Sequence, residues 1–223
     1  MKHSLTTAAL LASVLLLAAN PSFAVQNEPG TPDEAATTSK AGKSTPQSKR
    51  EIAAMRKANA LIFPGQGAFR DCRAALSDAM KQALLEQIAA GTPFLGICVG
   101  LQLLFEGSDE APGCAGLGLF KGHVRRLDSQ GIKIPHMGWN QLELCGESQR
   151  ALQAAGGEGT WVYFVHSYHA VPAESGLLRA QVSYGNNRIT AAVAKDNVLA
   201  TQFHPEKSQH AGQLLLKEFH RGG

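Results

Sequence analysis

Gly96-Ile97-Cys98-Val99-Gly100, entered through Phe94-Leu95 and left through Leu101-Gln102-Leu103-Leu104-Phe105-Glu106, decides the reading of the fold. Phe94 to Ile97 is a short apolar run just after Pro93 and reads as a buried strand. Val99 to Glu106 reads as the start of a helix. A cysteine at the sharp turn between strand and helix is the nucleophile-elbow arrangement with Cys in place of Ser. Such a turn strains the backbone at the nucleophile, and side chains two positions away on either side would crowd it, so Gly96 and Gly100 are the residues it needs. A helix N-terminus also favours thiolate and should lower the cysteine pKa. A lone buried cysteine is ordinarily a small core residue. Strand, glycines and helix together point instead to a nucleophile.

The neighbouring sequence repeats the alternation. Ala60-Leu61-Ile62-Phe63 reads as a buried strand ended by the loop Pro64-Gly65-Gln66-Gly67. Ala68 to Ala90 places Phe69, Cys72, Leu76, Met80, Leu84 and Ile88 at helical spacing, with Gly91 closing the helix. Strand alternating with helix implies an α/β fold, a largely parallel sheet with flanking helices. The second half is richer in strands. Trp161 to Val165 is one strand, Ile189–Val193 and Val198–Phe203 flank a hairpin turn at Lys195-Asp196-Asn197, and Gln213 to His220 is a closing amphipathic helix.

A cysteine nucleophile needs a base and a group to orient that base. Phe203-His204-Pro205-Glu206 supplies both at the end of an apolar strand. A carboxylate two residues after the imidazole can fix its tautomer and stabilise imidazolium. By itself His-Pro-Glu is more often a histidine in a surface turn. An acyl-transfer centre also needs an oxyanion hole. The Val99 N–H is one donor, and a second can come from the loop at Gly65 and Gly67, where the backbone can approach a substrate closely. Gln102 lies one helical turn after Cys98 and shares its face. Glu110 lies just beyond that helix and could pair with a substrate ammonium. No group of His and Cys residues has metal-ligand spacing, and no cofactor is implied.

Composition sets the limits. The 223 residues allow one domain, and 44% hydrophobic residues are enough for a packed core. A net charge of +3, dispersed along the chain, leaves no nucleic-acid footprint. Cys72, Cys98, Cys114 and Cys145 are widely spaced without a C-x-x-C pair and read as free thiols. The N-terminus conflicts with this picture. Met1-Lys2-His3, the uncharged stretch Leu5 to Ala19 and Pro21-Ser22-Phe23-Ala24 have the layout of a secretory signal over residues 1–24. That run of 15 residues is short for a membrane span. Residues 25–50, rich in Thr, Ser, Pro, Ala, Lys and Glu, read as a disordered linker, leaving 51–223 as the folded domain.

Five segments occur in a fixed order: Pro-Gly-Gln-Gly at 64–67; the elbow through Glu106; Pro135-His136-Met137-Gly138-Trp139-Asn140; Tyr163-Phe164-Val165-His166-Ser167-Tyr168; and Gln202-Phe203-His204-Pro205-Glu206-Lys207-Ser208. Together they resemble the class I glutamine amidotransferases, and among these the glutaminase subunits of imidazole glycerol phosphate synthase. The elbow and His-Pro-Glu are common to the whole class, while the middle two segments are much more specific. The resemblance spans residues 51 to about 220. It implies a flavodoxin-like domain in which Cys98, His204 and Glu206 form a triad that hydrolyses glutamine to glutamate and ammonia. It places Gln102, Glu110, Ser167 and Tyr168 around the glutamine. It also implies a heterodimer with a (β/α)8-barrel cyclase, in the cytoplasm, with Met137, Trp139, Asn140, Tyr163 and Lys207 near the interface. For Trp139 a core position is the alternative.

The departure is at the front. The family opens with a strand, a helix and a second strand carrying a D-Y-G-x-G-N-type motif, and none of it is recognisable here. The apolar run of the signal-like segment fits neither a strand pattern nor the length of such a unit. Two rival readings follow: an exported stand-alone γ-glutamyl or glutamine hydrolase, and an inactive truncated remnant.

Overall fold

The computed structural model describes residues 14–16 and 46–222. In chain order the first half carries β1 (Val14–Leu16), α1 (Pro46–Met55), β2 (Ala60–Gly65), α2 (Phe69–Ala75), α3 (Asp78–Ala89), β3 (Phe94–Cys98) and α4 (Val99–Gln102). Then come β4 (Gly122–Arg126), β5 (His136–Gln141), β6 (Glu143–Leu144), α5 (Arg150–Ala154), β7 (Trp161–His166) and β8 (Tyr168–Pro172). The chain closes with β9 (Leu178–Tyr184), β10 (Asn187–Lys195), β11 (Val198–Thr201) and α6 (Gln209–Arg221).

Seven strands form the main sheet in the order β1-β2-β3-β11-β10-β9-β6. All five residues of β3 are buried, as a parallel strand covered on both faces requires. Its flanks are β2 and β11, both parallel to it. The expectation of a largely parallel sheet needs correction. β1-β2, β2-β3 and β3-β11 are parallel, but β11-β10, β10-β9 and β9-β6 are antiparallel. Tight turns at Lys195-Asp196-Asn197 and after Tyr184, the latter with Gly185 at φ 56°, fold the C-terminal strands back as hairpins. Asn197 also ties this turn to α3, donating to Ile88 O at 3.0 Å and Thr92 O at 2.6 Å.

Two helices expected from the sequence are shorter. Ala68 to Ala90 is not one helix but α2 and α3, because Ser77 caps a new start and accepts from the Met80 N–H at 3.3 Å. The helix after Cys98 stops at Gln102 instead of running to Glu106. The N–H groups of Leu104 and Phe105 turn to carbonyls three residues back, Leu101 O and Gln102 O, and the Glu106 N–H goes to Gly122 O, so the α-helical pattern is not continued. Gly91 does close α3, with φ 88°.

At the N-terminus, α1 begins at Pro46, so the last residues assigned to the linker are helical; the rest of that linker, 25–45, lies outside the described residues. So does most of the signal-like segment. Within it, however, Val14, Leu15 and Leu16 pair in parallel with Ala60, Leu61 and Ile62. The expectation that this run follows no strand pattern fails for these three residues. The edge of β2 offers unpaired backbone groups beside a buried parallel strand, and an apolar β-rich segment satisfies them.

Beside the main sheet stand two ribbons, β4-β8 and β5-β7. In β5-β7, His136 pairs with His166, Trp139 with Tyr163 and Gln141 with Trp161. Directly opposed residues share a face. One face of this ribbon therefore carries Met137, Trp139, Trp161, Tyr163 and Val165, and the other carries His136, Phe164 and His166.

Candidate active site

Cys98 ends β3 and precedes α4 with φ 55° and ψ −109°. A non-glycine residue held there stores strain that only the surrounding packing can maintain. The packing is backbone on backbone. A Cβ on Gly96 would lie 2.9 Å from Gly100 O, and one on Gly100 would lie 2.0 Å from Phe63 O. The turn therefore needs glycine at both sites because neighbouring main chain occupies the space.

Around Cys98 opens a cavity of about 410 Å³, to which Gly67, Val99, Gln102, Glu110, Ser167, Tyr168 and His204 all contribute. Cys98, His204 and most residues expected to hold substrate thus meet in one place, while Glu206 lies behind His204 and does not line the cavity. Gly65 does not line it. It pairs with Cys98 across β2-β3, and a Cβ there would lie 2.7 Å from Val99 Cβ, so its role is close packing. Glu110 accepts from the Phe69 N–H at 2.9 Å, which fixes the carboxylate at the start of α2.

His204 follows β11 and is buried. Its backbone N–H donates to Tyr163 O at 2.9 Å, and its carbonyl accepts from the Ser208 hydroxyl at 2.7 Å. The Ser208 Oγ in turn accepts from the Tyr163 N–H at 3.0 Å. The β5-β7 ribbon is thus hydrogen-bonded directly to the backbone of the histidine. Nδ1 of His204 lies 2.6 Å from Glu206 Oε1. A carboxylate can only accept, so Nδ1 donates to Glu206, and in the neutral ring the lone pair lies on Nε2. Nε2 is buried without a hydrogen-bond partner among the described residues. Burial alone would raise the Glu206 pKa, but the hydrogen bond from His204, the histidine's charge and Lys207 leave it below the usual carboxylate value.

The thiol itself departs from expectation. Burial pushes Cys98 up to about 12; the Val99 N–H opposes this, while Glu206 and Cys72 add to it and Lys207 offsets part. The helix after Cys98 is a single turn, too short for its dipole to overcome burial. Burial therefore favours the thiol over the thiolate at Cys98. Cys72, Cys114 and Cys145 take part in no disulfide.

The residues expected near an interface separate into two groups. Met137 is 62% and Trp139 42% exposed, so Trp139 is not a core residue. Tyr163 packs edge-on against Trp139, with ring centroids 5.9 Å apart, and Lys207 is exposed. Asn140 lies on the opposite face and donates to Ser183 O at 2.9 Å. Trp161, 53% exposed on the same face as Trp139, was not anticipated; its place follows from strand pairing, which the local sequence does not encode. Gln202 carries no local sequence signal beyond its place before Phe203. It is fully buried and donates to Cys98 Sγ at 3.6 Å.

A strained thiol and a carboxylate-oriented imidazole open on one cavity at the carboxyl end of an α/β sheet, an arrangement suited to cysteine-dependent acyl transfer. Which kind is settled by comparison: residues 36–221 match the family model described as glutamine amidotransferase class-I, and the chain belongs to that family. Among similar proteins, the imidazole glycerol phosphate synthase subunit HisH of Trichormus variabilis is 49% identical over 165 residues, covering 73% of this chain and 77% of the relative. The HisH subunit of Syntrophotalea carbinolica is 45% identical over 176 residues, covering 75% and 83%. A crystal structure of a glutamine amidotransferase superposes with a TM-score of 0.57 at 19% identity, covering 76% of this chain and 83% of the other. The Trypanosoma brucei CTPS glutaminase domain with bound acivicin gives 0.55 at 15%, covering 80% and 77%. These two likenesses speak for the fold alone. Among the described residues no helix is long and apolar enough to cross a membrane.

Proposed function

We propose that the chain is the glutaminase subunit of an imidazole glycerol phosphate synthase, hydrolysing glutamine to glutamate and ammonia and passing the ammonia to a cyclase subunit. The observation that carries the reading is the unpartnered Nε2 of His204, buried beside the cavity of Cys98 while Nδ1 is held by Glu206. In the reaction, Nε2 takes the Cys98 thiol proton as Sγ attacks the side-chain amide carbon of glutamine. The oxyanion is met by the Val99 N–H and by backbone near Gly67. Imidazolium then protonates the departing ammonia and a glutamyl thioester remains. Water, deprotonated by His204, cleaves it to glutamate and restores the thiol. Forming imidazolium is favoured because Glu206 keeps its negative charge. Glu110, already fixed by the Phe69 N–H, has its other oxygen for the substrate ammonium, and Ser167 and Tyr168 wall the same cavity.

The partner is a (β/α)8-barrel cyclase, and the docking face is the side of β5-β7 bearing Met137, Trp139, Trp161 and Tyr163, with Lys207 beside it. The product there is imidazole glycerol phosphate together with an aminoimidazole carboxamide ribotide, and the working compartment is the cytoplasm. The signal-like start favours a second reading, an exported stand-alone hydrolase. Pairing of Val14–Leu16 with β2 speaks against it, because a cut after Ala24 would remove that strand. The test is Cys98→Ser. It should abolish ammonia release from glutamine yet leave partner binding and the partner's ammonia-dependent synthesis intact. Undiminished glutaminase activity would sink the assignment, and turnover indifferent to the partner would favour the stand-alone hydrolase.

A further inference from the structure

We propose that Gln202 is a positioning residue for the nucleophile, one end of a polarised amide relay that aims an N–H at the Cys98 sulfur. The relay begins at a group whose polarity is not negotiable. Tyr168 O is a backbone carbonyl and can only accept. Gln102 Nε2 lies 3.0 Å from it, so the amide of Gln102 must turn its NH2 that way. The same NH2 lies 3.1 Å from Gln202, which must therefore present Oε1. That leaves Gln202 Nε2 facing Cys98 Sγ, at 3.6 Å. Two amides that could each be flipped in isolation are fixed in one sense by a single carbonyl. Both are buried, Gln102 at 3% exposure and Gln202 at none, so water does not compete for these bonds.

The direction matters chemically. An N–H donated to sulfur stabilises thiolate more than thiol, because bonds to an ionised acceptor are the stronger ones. Burial opposes ionisation of Cys98, and His204 Nε2 accepts the proton but offers the neutral thiol no donor. Gln202 adds a side-chain donor, alongside the Val99 N–H, at the sulfur as the proton leaves. The relay also limits Gln102: both its N–H bonds are spent on the protein, so toward a substrate it can only accept, through Oε1.

This inference rests on Cys98 being the nucleophile, and the test separates the two. Wild type, Gln202→Met and Gln202→Glu are treated with iodoacetamide across a range of pH. Alkylation of Cys98 is followed by peptide mass spectrometry, with Cys114 as the internal control. The methionine fills the same space without a donor. The glutamate keeps an acceptor for Gln102 and sets oxygen against sulfur. Thermal unfolding is recorded for each variant, and if the methionine variant does not fold the glutamate variant carries the test. The account expects Cys98 alkylation at a fixed pH to fall about tenfold or more, its pH dependence moving up by about one unit or more, while Cys114 is unchanged. Glutamine turnover should lose kcat more than KM. A residue that only fills space would leave the pH dependence in place, and an unchanged profile in a folded variant overturns the relay. Loss of the nucleophile assignment would show differently, as glutaminase activity surviving in Cys98→Ser.

Discussion

Replacing Gly100 by alanine probes the elbow with one methyl group. Its Cβ would stand 2.0 Å from Phe63 O and 3.1 Å from Phe63 C. Carbon and oxygen in contact sit about 3.3 Å apart or more, so α4 and β2 must separate by about 1 Å. Neither atom belongs to a flexible side chain, and β2 is held in the sheet by β3. Overpacking of this kind costs about 1–3 kcal/mol, and backbone against backbone puts it at the upper end. At about 2–4 °C per kcal/mol for a chain of this size, Tm should fall by about 6–12 °C. Because α4 carries Val99 directly after Cys98, the same displacement moves both the sulfur and the oxyanion donor. A 1 Å error of that kind costs on the order of a hundredfold in rate. Gly176→Ala is the control, since that glycine has nothing within 4 Å and an ordinary φ, and it should change stability by no more than about 0.5 kcal/mol. Circular dichroism melts and ammonia release, measured side by side with the partner present, decide the matter. If Gly100→Ala melts with wild type and keeps its rate, the close approach of α4 to β2 is not what shapes the elbow.

Acid should destabilise the protein in a defined window. Burial holds His136 near 4, His166 near 3 and His169 near 4, against an ordinary value of 6.5. Between about pH 6.5 and 4 the unfolded chain therefore binds protons that the folded chain refuses, so stability falls as pH drops and a pH series of denaturant melts will show it. His169 also has a buried Nδ1 without a partner, so His169→Leu should leave stability at neutral pH unchanged or higher and flatten the acid limb. Trp161→Asp should weaken cyclase binding at least tenfold in titration calorimetry while leaving the melt unchanged, since Trp161 is exposed on the ribbon face. Deleting residues 1–24 removes the strand paired with β2, and light scattering on heating should reveal earlier aggregation. A shortened chain that melts and scatters like the full one would show that this edge strand adds nothing.

The sequence was most legible where structure is local. Strand, glycine, cysteine and helix occupy five consecutive residues around Cys98, and His204 and Glu206 are two apart, so each piece carries its own signal. The meeting of Cys98 and His204 in one cavity could be inferred only through the family resemblance. Partnerships between distant strands were not legible. Trp161 joins the exposed face of Met137 and Trp139, and Asn140 falls on the opposite one, only once the β5-β7 register sets which side chains share a face. Gln202 drew no attention because a glutamine before Phe203 looks like strand filler until Gln102, a hundred residues earlier, is seen to hold it. The break between α2 and α3 did have a local mark, Ser77-Asp78, but the apolar spacing continued across it and outweighed the cap. The thiol's pKa was misjudged for a different reason: helix length and burial, the two quantities that set it, are properties of the folded chain.

The central claim is that a glutamyl thioester forms on Cys98. The protein, its cyclase partner and glutamine should be mixed, quenched in acid within the first turnovers and digested for mass spectrometry. A glutamyl adduct is predicted on the peptide carrying Cys98, discharged by hydroxylamine and absent from Cys98→Ser. Ammonia released at full rate with no adduct at Cys98, or with an adduct on Cys72, Cys114 or Cys145 instead, would contradict it.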